Sequence, residues 1–384
     1  MRDDSGDEAA CDAPIDTQSG ARLDEPTARS VRSTCDQCGA PLRWDPATDA
    51  LHCEHCGTSR SVPRVDDAIV ERPLAAAGDA ARGLGLAVRV VRCDECGARL
   101  TLDEAATAET CAYCGSSSVL VQDERRNALR PESLVPLDVA REDVARTFAT
   151  WLRKLWFRPN ALVRTKSFEA VGIYVPFWTF DARVHSAWTA DAGYHYSEDE
   201  SYTTHENGRL VTRTRRVQKT RWQSAWGSRD DTYDDLLVPA SKGLSDALLA
   251  ELGGFDTDAL VPYRPEYLLG WRAEEYQVDL ADGWEIGKAR IDALQRERCS
   301  HDVPGDTQRD LRVRTTIDDV RWKHVLLPVW SLTYRYGERR YAVLVNGQTG
   351  RIVGKAPWSW IKIACAALGV AAAGFAAAAW SSMR

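Results

Sequence analysis

The chain has 384 residues, 44% of them hydrophobic, and a formal net charge of −7. This is enough for one sizeable core with small accessory modules; the acidic balance excludes a generally basic, nucleic-acid-coating protein and leaves only local basic patches open. Eight of the eleven cysteines fall into two regular clusters, and the other three, Cys11, Cys299 and Cys365, lie far apart, the pattern of a reducing compartment rather than a disulfide framework.

Residues 1–30 carry Asp3, Asp4, Asp7, Glu8, Asp12, Asp16, Asp24 and Glu25 with little that builds a core, so an acidic disordered tail is expected. A secretory signal needs a basic start and an apolar run. This beginning has neither, which places the cysteine clusters in the cytoplasm.

The first cluster, at 31–63, reads Cys35-x-x-Cys38-Gly39 and then Cys53-x-x-Cys56-Gly57. The second, at 88–122, reads Cys93-x-x-Cys96-Gly97 and then Cys111-x-x-Cys114-Gly115, each cysteine falling 58 positions after its counterpart. This is a duplicated module. Four soft ligands brought to one point by two tight turns suit a tetrahedral metal, and glycine after each pair suits a chain that doubles back with positive φ. The pattern reads as two zinc ribbons, one Zn2+ in each. Disulfides or redox turns are the alternatives, but a redox motif stands once at a helix start, not four times before glycine. With four thiolates per site no position is open to water, so the role is structural. His52 and His55 flank Cys53 as surface residues of the turn. Trp44 of the first ribbon has Leu102 as its repeat partner.

Between the ribbons, 64–87 reads as a linker with a short helix at most, and 123–136 as a charged connector. An α+β domain is expected at 137–357. Val144, Phe148, Trp151, Leu152 and Leu155 share one helical face, and Pro159 ends that helix. Strand-like segments follow at 171–188 and 201–222, with Asn207-Gly208 as a hairpin turn inside the second. A helix at 284–298 and several strands over 311–353 repeat the order. Residues 175–180 (VPFWTF) resemble 327–332 (LPVWSL), which suggests a weak internal duplication around an antiparallel sheet.

The tail, 358–384, contains 18 residues without a charge, 363–380. As a helix this is about 27 Å, close to a hydrocarbon core of about 30 Å. Trp358, Trp360 and Trp380 stand at its ends, and Arg351, Lys355 and Lys362 on its N-terminal side orient the body inward. A single transmembrane helix, and hence a tail-anchored protein with the bulk of the chain in the cytoplasm, is the expectation; the competing reading is a buried Ala-rich helix, since alanine is only marginally favourable in lipid.

The sharpest local charge lies between Arg209 and Arg229, seven cations with no acid. In a strand, Arg209, Arg213, Arg215, Lys219 and Arg221 face one side. Such a face suits DNA phosphates, anionic headgroups or an acidic partner; the alternative is a solvated face paired with Glu198, Asp199, Glu200, Asp230, Asp231, Asp234 and Asp235. His185, His195 and His205 recur every ten residues with no convergent partner motif. No nucleophile elbow or zinc-protease helix occurs, and no catalytic residue is expected.

The strings at 151–160 (WLRKLWFRPN), 173–181 (IYVPFWTFD), 219–222 (KTRW), 235–241 (DLLVPAS), 260–271 (LVPYRPEYLLGW), 324–330 (HVLLPVW) and 357–360 (PWSW), together with the ribbons, resemble a group of bacterial double zinc-ribbon proteins. Many of these carry the label primosomal protein N-prime (replication factor Y), superfamily II helicase. The resemblance implies the bacterial inner membrane as location and, through the label, a nucleic-acid or replication-complex contact. A helicase motor is not implied by the residues. A phosphate-binding loop needs G-x-x-x-x-G-K-[ST]; the segments 350–356 and 283–289 are one residue short and lack the hydroxyl, and Asp103-Glu104-Ala105-Ala106 lies inside the second ribbon. The expectation is a membrane-tethered, non-enzymatic interaction protein with a protein partner that the sequence does not name. The alternative is a DNA-binding accessory of replication.

Overall fold

Residues 170–192 and 322–334 are apolar at both odd and even positions for much of their length, so a sheet made from them needs cover on both faces. The computed structural model describes residues 34–382 apart from 63–67, 81, 85, 87, 104–109, 118, 123–127, 160–167, 207–208, 245 and 338. It meets that need with one long antiparallel sheet between two layers. The expected acidic tail at 1–30 and the turn residues Asn207 and Gly208 lie outside the described residues.

In chain order, the first cysteine cluster holds β1 (Arg43–Asp45), β2 (Ala50–His52) and β3 (Ser59–Ser61), and is followed by β4 (Arg72–Pro73). The second holds β5 (Val88–Cys93), β6 (Arg99–Asp103) and β7 (Val119–Gln122). The body begins with β8 (Ser133–Leu134) and α1 (Arg141–Lys154), then the long pair β9 (Glu169–Glu206) and β10 (Arg209–Pro239). After α2 (Asp246–Leu252), β11 (Val261–Pro262) and β12 (Arg272–Ala273) come α3 (Leu280–Asp302), β13 (Thr307–Tyr336), β14 (Arg339–Asn346), β15 (Ile352–Gly354) and α4 (Trp360–Ser382). The central order is β10-β9-β13-β14-β15, with β4, β8, β11 and β12 added at its margins.

The two faces take different layers. Tyr174, Leu326, Trp330 and Leu332 point to the side where ribbon one and α1 pack. Further along the same side, Trp178, Phe180 and Trp322, then Val184, meet α3 through Leu280 and Ile291. Ile173, Val175, Phe177, Val325, Leu327 and Val329 point the other way, against ribbon two and α2. The close approach of α3 depends on small residues: a Cβ on Gly283 would lie 2.5 Å from Trp178 Cδ1, and one on Gly287 3.1 Å from Phe180 Cδ2.

The look-alike segments 175–180 and 327–332 are neighbours in this sheet. Val175 pairs with Leu327, Pro176 with Leu326 and Pro328 with Tyr174, so equivalent residues are related by a local two-fold axis through the Val175–Leu327 pair. Both prolines tolerate a central position because their carbonyls still accept, Pro176 O from Ala240 N at 3.0 Å and Pro328 O from Gly347 N at 2.8 Å.

Several expected boundaries shift. The two strand segments at 171–188 and 201–222 are parts of one continuous hairpin, β9–β10, in which Arg209 pairs with Glu206 across a two-residue connection. The expected linker is held by the body: Arg72 of β4 pairs with Trp322 of β13, Arg72 Nε donates to Glu132 Oε1 at 2.9 Å, and Lys323 Nζ donates to Glu71 Oε1 at 3.0 Å. The connector also reaches the core, since Ser133 and Leu134 pair with both β11 and β13. The pattern gave no hint of α2.

The tail is a helix, α4, but the expected transmembrane crossing at 358–384 is not carried by it. Among the described residues no helix is long and apolar enough to cross a membrane. Alanine, only weakly apolar, makes up much of 360–374.

Candidate metal centres and the basic arm

Each Cys-x-x-Cys-Gly unit folds into the same turn. The first cysteine N–H takes the carbonyl five residues on: Cys35 N to Ala40 O at 2.8 Å, Cys53 N to Thr58 O at 2.9 Å, Cys93 N to Ala98 O at 2.9 Å and Cys111 N to Ser116 O at 2.7 Å. The glycine N–H returns to the first cysteine carbonyl, at 2.8–2.9 Å in all four. Closing both bonds forces the glycine into the left-handed region, and Gly39, Gly57, Gly97 and Gly115 have φ of 72°, 74°, 75° and 69°. Two such turns face each other at the ends of each ribbon sheet.

The sulfur geometry decides the chemistry. Cys35, Cys38, Cys53 and Cys56 have all four Sγ atoms within 4.8 Å of one another, as do Cys93, Cys96, Cys111 and Cys114. The nearest pairs are Cys35–Cys56 at 3.6 Å, Cys38–Cys53 at 3.5 Å, Cys93–Cys114 at 3.6 Å and Cys96–Cys111 at 3.7 Å. A disulfide needs about 2.04 Å, whereas a tetrahedron with metal–sulfur bonds of about 2.3 Å spaces its sulfurs about 3.8 Å apart. These are two separate four-thiol sites, each fitted to one zinc ion. His52 is engaged with Ser59 Oγ at 3.1 Å and belongs to neither quartet.

Thiols this close share protons unequally. Hydrogen bonds from the Thr58 hydroxyl and backbone bring Cys56 down to about 6. Cys38 is favoured as a thiolate by the Ala40 N–H, but its hydrogen bond to Cys53 and desolvation outweigh this and push it up to about 12. In ribbon two the bond from Cys96 brings Cys111 down to about 5, and the same bond raises Cys96. A divalent cation relieves this competition by accepting all four thiolates at once.

The ribbons differ in how the body holds them. Ribbon one is bound through its sheet: Trp44 N donates to Leu269 O at 3.0 Å, Trp271 Nε1 donates to Trp44 O at 2.9 Å, and the Arg43 guanidinium lies 4.4 Å from the Trp271 ring centre. Ribbon two is bound through its sheet as well, Glu275 N donating to Arg99 O at 2.9 Å and Ala273 N to Thr101 Oγ1 at 2.9 Å, and in addition through the metal turn itself. Between Cys111 and Cys114, Ala112 O accepts from Ser331 Oγ at 2.7 Å, and Tyr113 Oη donates to Glu274 Oε2 at 2.8 Å. Glu274 Oε1 accepts from Ser241 Oγ at 2.7 Å. Burial pushes this carboxyl up to about 7, against the lowering effect of its donors Ser241, Tyr113 and Gln277. Glu274 escaped the sequence reading because one acid among 56 acidic residues carries no spacing signal.

The basic residues sit on the far part of the β9–β10 hairpin. Strand β13 joins β9 only as far as Gly193, which pairs with Thr307. Beyond it, 194–206 and 209–221 form a two-stranded arm of about 40 Å. Arg209, Arg213, Arg215, Lys219 and Arg221 do share one exposed face, opposite Glu206, Tyr202, Glu200, Tyr196 and Tyr194 respectively. The acids are not idle: Arg215 Nη2 reaches Glu200 at 2.8 Å, Lys219 Nζ reaches Glu198 at 2.8 Å, and Arg216 on the other face reaches Asp199 at 3.3 Å. The Arg215 contact lowers the Glu200 carboxyl, and the Glu198 contact raises Lys219. Arg215, Arg216 and Lys219 are thus balanced within the arm.

The three histidines do not converge. They stand ten residues apart along β9, about 33 Å per interval, and His185 bonds Asp230 at 2.7 Å while His195 bonds Thr220 at 3.1 Å. Of the near-phosphate-loop segments, 283–289 lies inside α3, and Gly350 closes a turn by donating to Asn346 O at 2.9 Å.

No family model matches the chain. Its sequence is similar to that of YdjG of Bacillus subtilis (strain 168), an uncharacterized protein: the two are 27% identical over 352 residues, 89% of this chain and 95% of that one. No solved structure matches.

Proposed function

We propose that this chain is a zinc-ribbon interaction protein, without catalysis of its own, that is attached to a membrane through α4. The observation that carries the reading is the state of α4. Its described side chains are almost all exposed, Ile361, Leu368 and Val370 by 71–77%, and the sequence has no charge from 363 to 380. A helix that is apolar all round is stable only when something apolar covers it, and lipid is the cover that needs no matching surface. The ribbons then act as rigid, metal-stiffened plates on either face of one sheet, and the arm offers a mixed basic and tyrosine face to a protein partner. The labelled replication role remains a second reading of that arm. Internal pairing of Arg215 and Lys219 weighs against it, because a phosphate would have to displace Glu200 and Glu198.

The experiment is membrane fractionation of the expressed chain and of a variant lacking 360–384, alongside fluorescence anisotropy of the full chain with duplex and single-stranded DNA. Recovery in membranes that is lost with α4 supports the attachment. A parent chain found entirely in the supernatant overturns it. DNA binding that persists at physiological salt and falls when Arg213, Arg215 and Lys219 become Ala would favour the replication reading.

A further inference from the structure

Two segments distant in sequence meet where α4 leaves the body. The chain after α1 turns at 155–158, and the chain before α4 passes through 356–360. Arg158 Nη1 donates to Ala356 O, Ser359 N donates to Phe157 O at 2.7 Å, and Lys362 Nζ donates to Trp156 O at 3.1 Å. The Arg158 guanidinium lies 4.0 Å from the centre of the Trp358 ring. These bonds fix a collar in which Trp156, Trp358 and Trp360 are 78%, 58% and 77% exposed, with Phe157 beside them at 38%.

A fixed cluster of exposed aromatic rings is costly in water. Tryptophan is amphipathic, an apolar body with one N–H, and is at home at the headgroup level of a bilayer. Arg158 and Lys362 belong to the same collar and suit the phosphates of that layer. The collar also borders the charge-free run that begins at 363, so it stands at the depth where a membrane surface meets an embedded α4.

We infer that the collar is a second membrane contact, in which Trp156 and Phe157 enter the headgroup layer of an anionic bilayer beside α4. The inference rests on the attachment proposed above and adds an orientation. With two contacts from separate segments the body stands on the surface at one angle, and the hydrogen bonds from Arg158 and Lys362 transmit that angle to α1 and the sheet.

The test uses the full zinc-loaded chain in vesicles of phosphatidylcholine and phosphatidylglycerol, with and without bromine on the acyl chains near the headgroup, which quenches tryptophan on contact. The parent is compared with Trp156→Phe, and Phe157→Ser is compared by vesicle flotation. Trp156 is one of four exposed tryptophans in the collar and α4 (Trp156, Trp358, Trp360 and Trp380). Trp156→Phe should therefore remove about a quarter of the quenchable emission, and Phe157→Ser should weaken flotation several-fold on anionic vesicles. Flotation of the parent with quenching unchanged by Trp156→Phe overturns the collar and leaves the attachment standing. No flotation of the parent overturns both. Trp156 shielded from aqueous iodide but untouched by brominated lipid also overturns the collar, because it assigns that surface to a protein. Near-ultraviolet circular dichroism, dominated by the buried tryptophans, keeps a misfolded variant from passing as a result.

Discussion

Tyr113→Phe removes one hydroxyl from the metal turn of ribbon two, and its cost reports how that ribbon is held. Tyr113 Oη donates at 2.8 Å to Glu274, which is 2% exposed and whose other donors are Ser241 Oγ at 2.7 Å and Gln277 Nε2 at 3.2 Å. A hydrogen bond to a charged group contributes about 1.5–3 kcal/mol, and its loss here leaves a buried carboxylate short of a donor. The cost should depend on pH. The Glu274 carboxyl lies at about 7 in the folded protein against 4.5 as its ordinary value, so the folded state holds the extra proton between these values. Its contribution to stability is complete below about pH 4.5 and is lost as pH rises through 7, about 3 kcal/mol in all at about 1.4 kcal/mol per pH unit. Glu274→Gln cannot titrate and should lack that fall. The Tyr113→Phe penalty should grow over the same interval as its acceptor becomes charged. The assay is urea unfolding of the zinc-loaded chain at several pH values between 5.5 and 8 for the parent, both single variants and the double variant, followed by near-ultraviolet dichroism. A coupling energy near zero, or a parent-to-Gln difference that does not change with pH, would refute the assignment of Glu274 as the clamp.

Other outcomes follow from the same geometry. Native mass spectrometry should find two zinc ions per chain, one fewer in Cys38→Ser or Cys96→Ser, with loss of helical and sheet dichroism around the ribbons in excess chelator; a metal-free parent would sink the quartets. Gly283→Ala puts a Cβ 2.5 Å from Trp178 Cδ1 and should cost about 1–3 kcal/mol of unfolding free energy by overpacking, whereas an unchanged midpoint would mean α3 is not seated on Trp178. Burial brings His324 down to about 4, against the raising effect of the Leu129 and Arg130 backbone. Its contribution is therefore present above about pH 6.5 and lost as pH falls towards 4, about 3 kcal/mol. His324→Gln should flatten that acid limb in denaturant titrations, and an equally steep limb in the variant would contradict it.

What was legible from the residues was local. The Cys-x-x-Cys-Gly turns could be read because ligand, bond and left-handed glycine all lie within six residues, and Gly39, Gly57, Gly97 and Gly115 behave as that reading requires. Helix α1 could be read because Val144, Phe148 and Leu152 repeat at its period and are the residues buried. The pairing of Glu206 with Arg209 was legible from the Asn-Gly between them. The tail was legible as a helix and not as a crossing, since absence of charge is a weaker condition than membrane-spanning apolarity. The basic strand was correctly placed on one face, but the distance from each cation to its acid depends on cross-strand register, which composition does not carry.

By itself, then, the sequence determined two four-thiol zinc sites, the α+β class and the identity of the apolar faces, because each depends on spacings within one short module or one element. Only the tertiary structure decided that the ribbons lie on opposite faces of one sheet, that Arg72–Pro73 and Ser133–Leu134 join that sheet, and that Glu274 reaches Tyr113 across 161 positions. It also decided that Arg158 meets the Trp358 ring. Those contacts come from pairing segments such as Val175 and Leu327, and the energy that selects one pairing among many is burial summed over the whole sheet, which no single stretch of the chain displays.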